Sequence, residues 1–190
     1  MTKQKKNTKK KPVKKKNTVR RIIMIAIGIS LLTIAYFGLK KQTTKSEPVD
    51  IFTKYYSPVP NTYYDVNLSS DSLMDAAFTA YEKGDFLEAS KAIEKKLETS
   101  PSYELNFYLG QCYGQIGNYP LAIKNLESMK RFDTPYLDDA YWLLGFYFYK
   151  QNNLQFSLKN FQDFEYITKD PVRQQSAVEI IKILMEQMGI

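Results

Sequence analysis

The amino-acid sequence predicts an all-α fold in which three helix-turn-helix units stack in a row and a further helix covers their end. Two sets of residues indicate a repeat of about 34 residues. Turn-forming residues recur 33 and 35 positions apart, at Gly84, Gly117 and Asn152, and prolines recur 34 and 36 positions apart, at Pro101, Pro135 and Pro171. Glycine and asparagine tolerate the left-handed conformation that ends a helix, and proline fits the first turn of the next helix. Units of this length are stable only when they stack on one another.

Basic and acidic residues lie in different parts of the chain. Residues 1–46 contain 14 Lys and Arg and no Asp or Glu, whereas the rest of the chain holds 13 basic and all 20 acidic residues. The net charge of +7 therefore combines a basic N-terminal region with an acidic domain. This distribution argues against nucleic-acid binding by the folded domain.

The sequence contains no histidine, and Cys112 is its single cysteine. These counts exclude an intrachain disulfide and a His/Cys metal cluster. Acid–base catalysis without histidine would need paired carboxylates, or Lys and Tyr, in a cleft, and no such spacing stands out. We therefore expect no enzymatic activity, no cofactor and no metal. We expect Cys112 to be a buried, inert thiol, because packing residues flank it.

The N-terminal region predicts a basic tail followed by a membrane anchor. Residues 1–21 carry 11 Lys and Arg and few apolar residues, which predicts a disordered tail. Residues 22–39 contain no charge, and a helix of that length measures about 27 Å, which predicts a transmembrane helix. A cleaved signal peptide is the alternative, with Thr33-Ile34-Ala35 as a weak cleavage site.

The excess of positive charge before residue 22 predicts the orientation of that anchor. We expect a single-pass protein of the bacterial inner membrane, with the N-terminus in the cytoplasm and the C-terminal domain in the periplasm. The basic tail would serve as a topology signal or contact anionic lipid; binding of nucleic acid by the tail is the less favoured interpretation.

Residues 40–69 predict a tether without regular structure, because Pro48, Pro58 and Pro60 each remove a backbone donor. The tether is too rich in Tyr and Phe for a simple spacer. We favour packing along the first helices of the repeat domain; docking on another molecule is the alternative.

Residues 70–171 predict the three helix pairs, because apolar residues recur at helical spacing on both sides of each turn. Asp71 or Ser69 is placed to cap the first helix. Residues 172–190 predict the capping helix that gives the row a polar end.

This pattern resembles the tetratricopeptide repeat, a 34-residue helix-turn-helix unit. The middle copy matches best, at Leu109-Gly110, Tyr113, Gly117, Tyr119, Ala122 and Leu126. The first copy matches at Ala76-Ala77, Ala80, Gly84, Phe86, Ala89, Ile93 and Pro101. The third matches at Leu144-Gly145, Phe148, Asn152, Leu154 and Phe161, but Ser157 replaces the usual alanine. The resemblance implies that residues 70–171 form a right-handed solenoid.

In this family the inner faces of the first helices line a concave groove that binds peptides or helices of partner proteins. The resemblance assigns ten positions to that groove: Met74, Phe78, Tyr81, Glu104, Phe107, Gln111, Asp139, Trp142, Phe146 and Tyr149. Aromatic side chains with an acidic rim suit an apolar or weakly basic segment of a protein.

Three arrangements are open for Trp142, Phe146 and Tyr149. They are exposed in the groove, or buried by the final helix, or buried by residues 47–69 folding back. The last arrangement would make the domain self-inhibited.

Together these features predict a non-enzymatic, membrane-anchored adaptor that binds protein or peptide partners in envelope protein biogenesis or assembly. Two other functions stay open. One is a signalling protein with an outer sensor domain and a basic inner tail. The other is a self-associating structural component of an envelope complex, which would form homo-oligomers.

Overall fold

The computed structural model of the protein describes residues 15–42, 49–65 and 71–190, with the side chains of residues 20–36 in the first range. The chain divides into two compact units, Met1–Glu47 and Pro48–Ile190. In the first unit, helix α1 spans Lys15–Gln42. The end of the predicted basic tail, from Lys15, is therefore helical. Residues 1–14 lie outside the described residues, and so do the disorder and lipid contact predicted for them.

The predicted transmembrane helix at residues 22–39 is wrong, because no helix in the described part of the chain is long and apolar enough to cross a membrane. The predicted single-pass signal anchor, inner-membrane localisation and periplasmic C-terminal domain are corrected with it.

The second unit consists of helices and connecting loops over its described residues, which confirms the all-α prediction. A short helix, α2, spans Ile51–Tyr55. Three pairs follow, α3 (Ser72–Glu82) with α4 (Phe86–Leu97), α5 (Tyr103–Gln115) with α6 (Tyr119–Met129), and α7 (Leu137–Lys150) with α8 (Leu154–Ile167). The last helix, α9, spans Pro171–Met188. From α3 to α9 each helix packs against the next one in the sequence, and α5 also contacts α7.

The three predicted turn residues adopt the left-handed conformation that reverses the chain within each pair. The φ angle is +79° at Gly84 and Gly117 and +57° at Asn152. The side chain one residue later caps the second helix of the pair, at Asp85, Asn118 and Asn153. A left-handed residue followed by an Asp or Asn cap is thus the common device of the three turns.

The prolines that mark the repeat have two different roles. Pro171 is the first residue of α9, as predicted. Pro101 and Pro135 instead stand two residues before α5 and α7. Ser102, directly after the first of these prolines, caps α5 by accepting a hydrogen bond from the Leu105 N–H. At these two places proline precedes the helix rather than starting it.

Small residues bring the two helices of a pair close together. A side chain added at Gly110 would collide with Leu126 of α6, and one at Gly145 would collide with Phe161 of α8. Ser157, the departure from the family pattern, is fully buried, and its hydroxyl donates to the Gly145 carbonyl at 2.8 Å. Serine preserves the close contact because its buried hydroxyl is paired.

Candidate peptide-binding site

Residues 49–65, called the docked segment below, cross α7, α5 and α3 in the reverse of their order in the sequence. At its start, the Val49 carbonyl accepts hydrogen bonds from Gln187 of α9 at 2.9 Å and from Tyr149 of α7 at 3.5 Å. At its end, the Tyr64 hydroxyl donates to Asp75 of α3 at 2.8 Å. The described part of the predicted tether therefore packs along the first helix of each of the three pairs. The prediction that the tether has no regular structure is wrong for Ile51–Tyr55, which form α2.

Six side chains of α3, α5 and α7 form the surface beneath the docked segment, called the docking face below. They are Phe78, Tyr81, Tyr108, Gln111, Phe146 and Tyr147. All six are buried. The docking face alternates aromatic surfaces with hydrogen-bonding groups, so it offers both kinds of contact along its length.

The first half of the docked segment places an aromatic pair against α7. The Phe52 and Tyr56 rings stack with 4.1 Å between their centroids, and both meet Phe146 edge-on, at 5.9 and 5.5 Å. The Tyr56 hydroxyl lies 3.1 Å from that of Tyr147 and accepts a hydrogen bond from Gln115 at 2.9 Å. The pair thus combines favourable ring geometry with a paired polar end.

The middle of the docked segment is recognised through its backbone. The Val59 N–H donates to Gln111 Oε1 at 2.8 Å, and the Val59 carbonyl accepts from the Tyr81 hydroxyl at 2.6 Å. Three residues later, the Thr62 N–H donates to the Tyr108 hydroxyl at 3.0 Å. Side chains of the docking face therefore pair the main chain of the stretch around Pro58 and Pro60, which has no regular secondary structure.

The end of the docked segment adds a second aromatic contact, on α3 and α5. The Tyr64 ring stacks on Phe78 at 5.1 Å, and the Tyr63 ring lies parallel to Tyr108 at 6.1 Å. Asn61 donates from Nδ2 to the Glu82 carboxylate at 2.8 Å. Two aromatic anchors, one at each end, therefore flank the backbone contacts.

The structure divides the ten predicted groove positions into two groups. Five of them contact the docked segment: Phe78, Tyr81, Gln111, Phe146 and Tyr149. The contacts described for the other five lie within the helical core or its edge: Met74, Glu104, Phe107, Asp139 and Trp142. Half of the predicted positions thus contact the docked segment, and four of them belong to the six-residue docking face.

The final helix, α9, accounts for Trp142 and Asp139. Arg173 of α9 pairs with Asp139 at 2.7 Å, and its guanidinium lies over the rings of Trp142 and Phe164 at 5.2 and 4.8 Å. Burial raises the pKa of the Asp139 carboxyl, and the arginine opposes that rise. Of the arrangements left open for the aromatic residues of α7, two are therefore observed: α9 buries Trp142, and the docked segment covers Phe146.

Two residues of the docking face, Tyr108 and Tyr147, were not among the predicted groove positions. Tyr147 reaches the docked segment across α5 because Gly114 has no side chain, and a Cβ there would overlap the Tyr147 ring. The glycine in the sequence is a signal of such a crossing, but it does not identify which ring passes over it. For Tyr108 no sequence signal separates a core tyrosine from one whose hydroxyl meets a backbone.

Among the described residues we find neither an exposed thiol nor a metal-binding cluster. Cys112 is buried, and burial raises the pKa of its thiol to about 12, so the thiolate is disfavoured at neutral pH. Among the described residues no group of His, Cys, Asp or Glu is arranged to hold a metal ion.

Comparison with protein-family models gives no match for this chain, and comparison with curated proteins gives none either.

Proposed function

We propose that residues 70–171 form a right-handed solenoid of three tetratricopeptide-like repeats, capped by residues 172–190, and that the protein is a non-enzymatic adaptor. Its docking face binds an extended segment of a protein partner. The observation that carries this proposal is the docked segment itself, because it shows the face holding an extended, aromatic and proline-containing stretch of polypeptide.

Two features of the docking face favour peptide recognition over simple core packing. Its contacts with Val59 and Thr62 go to the main chain, so they accept many sequences. Its aromatic contacts, at Phe146 and Phe78, select for rings at two separated positions. Main-chain contacts that give affinity, with side-chain contacts that give specificity, are the general pattern of peptide recognition by protein surfaces.

The docked segment and a partner would compete for one face. Because the segment belongs to the same chain, its effective concentration at the docking face is high. A free peptide must reach a similarly high concentration to compete with it. A partner therefore binds when its own contacts are stronger or when the segment is drawn away. The docked segment keeps the adaptor closed until one of these conditions is met.

A released variant of the full chain tests the proposal. Phe52→Ala with Tyr56→Ala removes the aromatic pair from the docked segment and leaves every residue of the docking face in place. A fluorescent peptide of residues 49–65 with the natural sequence serves as the probe. We expect the released variant to bind this peptide at least roughly tenfold more tightly than the wild type does, because each lost aromatic anchor costs the segment more than 1 kcal/mol.

The matched control replaces two exposed aromatic residues outside the segment, Phe156→Ala with Tyr166→Ala; their side chains are 52% and 88% exposed. The control should bind the peptide as weakly as the wild type. A released variant that is folded by circular dichroism and still does not bind the peptide would show that the docking face is not a peptide-binding site.

A further inference from the structure

The amide group of Gln111 is only half satisfied by the docked segment. Gln111 is fully buried, and its Oε1 accepts the hydrogen bond from the Val59 N–H. Its Nε2 is buried as well, and it has no hydrogen-bond partner among the described residues. An unpaired buried donor is costly and rare in native proteins. The docked segment therefore covers the docking face but leaves one buried donor of that face, Gln111 Nε2, without an acceptor.

Val59, the residue of the docked segment that contacts the Gln111 amide, has no free acceptor for Nε2. The side chain of Val59 is apolar, and its carbonyl is held by the Tyr81 hydroxyl. A side-chain oxygen on the Cβ of residue 59 would lie two bonds from its Cα, on the same residue whose N–H already contacts the Gln111 amide. Threonine has the branched shape of valine and carries such an oxygen.

We propose that the partner of the docking face is an extended peptide with a hydroxyl or amide side chain, such as threonine, serine or asparagine, at the position of Val59. This inference rests on the proposed function. Such a peptide keeps the aromatic anchors and backbone contacts of the docked segment and adds a hydrogen bond to Gln111 Nε2. Gln111 is then the residue by which the docking face distinguishes a partner from the segment that it normally holds.

Binding of three peptides to the released variant tests this inference. They are residues 49–65 with the natural sequence, with Val59→Thr, and with Val59→Ala as a control for the lost methyl groups. We expect the threonine peptide to bind roughly five- to tenfold more tightly than the natural one, the gain of one net hydrogen bond. The alanine peptide should bind more weakly. Adding Gln111→Leu to the released variant should abolish the advantage of threonine.

The outcomes separate this inference from the proposed function. If the natural peptide binds but threonine gives no advantage, or an advantage that survives Gln111→Leu, the inference is wrong and the adaptor proposal stands. If the folded released variant binds none of the three peptides, both are wrong.

A measurement within the intact chain does not depend on the released variant. Val59→Thr, Gln111→Leu and the double variant form a thermodynamic cycle, read from urea unfolding midpoints. We expect Val59→Thr to raise the unfolding midpoint when Gln111 is present. When leucine replaces Gln111, the same substitution should lower the midpoint or leave it unchanged. Equal shifts in both backgrounds would overturn the inference, because the threonine hydroxyl would then gain nothing from the Gln111 amide.

Discussion

At the scale of single residues, tyrosine hydroxyls make many of the polar contacts between the docked segment and the helices. Tyr81 donates to the Val59 carbonyl, and Tyr56 and Tyr147 pair with each other. Burial raises the pKa of Tyr56 from 10.0 to about 12, and it raises the pKa of Tyr147 well above its ordinary value. These hydroxyls are therefore kept protonated by the fold at pH values where a free tyrosine ionises.

This burial predicts a loss of stability at alkaline pH. The pKa of Tyr56 is higher in the folded state, so its contribution is complete below pH 10.0 and is lost as the pH rises towards about 12. We expect the free energy of unfolding in urea to fall between about pH 9 and pH 11, and to fall by about 1 kcal/mol less in Tyr56→Phe. Equal losses in the two proteins would show that Tyr56 does not sense the transition.

A second residue-scale prediction concerns the crossing of Tyr147 over α5. Gly114→Ala places a methyl group where the Tyr147 ring lies, so the ring must move and its contact with the Tyr56 hydroxyl is lost. We expect a destabilisation of about 1–3 kcal/mol in urea unfolding. In a Tyr147→Ala background the same change should cost much less, because the ring is gone. A penalty that is the same in both backgrounds would contradict this account.

At the scale of the elements, the turns within the helix pairs follow one plan with one exception. Asn152 adopts φ of +57°, a conformation that glycine adopts at the two equivalent turns. Asparagine tolerates this conformation at some energetic cost, whereas glycine does not incur that cost.

We therefore expect Asn152→Gly to leave the protein equally stable or to stabilise it by up to about 1 kcal/mol, and Gly117→Ala to destabilise it by about 1–2 kcal/mol. Nothing lies near the Gly117 Cβ position, so the second effect reports backbone conformation and not a collision. Thermal unfolding measures both changes. An unchanged melting temperature in Gly117→Ala would show that the left-handed conformation is not required there.

The elements that the sequence predicts are those that depend on local patterns of residues. Helix pairs and turns depend on local patterns, such as a glycine or asparagine followed by a capping side chain, and they were predicted. The docked segment depends on contacts between residues far apart in sequence, such as Val59 with Gln111, and no periodicity reveals such pairs. The predicted membrane anchor rested on the length of an uncharged run, whereas no helix in the described part of the chain is both long and apolar enough to cross a bilayer.

The candidate site was predicted only in part for a related reason. The resemblance to tetratricopeptide repeats gives the helices and the facing positions, and Phe78, Tyr81, Gln111 and Phe146 were predicted from it. It does not tell which aromatic residues of α7 face the docked segment and which face α9, because both sets recur at helical spacing. Arg173, which pairs with Asp139 and covers Trp142, decides that division from another helix.

At the scale of the whole second unit, the docked segment and the helices differ in how deeply they are buried. Ile51 is the one buried side chain among the described residues of the segment, whereas the helices contribute the rest of the buried core. The segment has no regular hydrogen-bonded structure beyond α2, and its main chain is paired with side chains. Elements with few buried contacts open before the core unfolds.

Native-state hydrogen exchange tests whether the docked segment opens on its own. We expect the Val59 and Thr62 amides, which pair with Gln111 and Tyr108, to exchange at least roughly tenfold faster than the central amides of α5, with little dependence on urea. Gln111→Leu should accelerate the Val59 amide and leave α5 unchanged. If the segment and α5 instead exchange at the same rate and with the same urea dependence, the segment is an inseparable part of the core, and a partner could reach the docking face only by unfolding the domain.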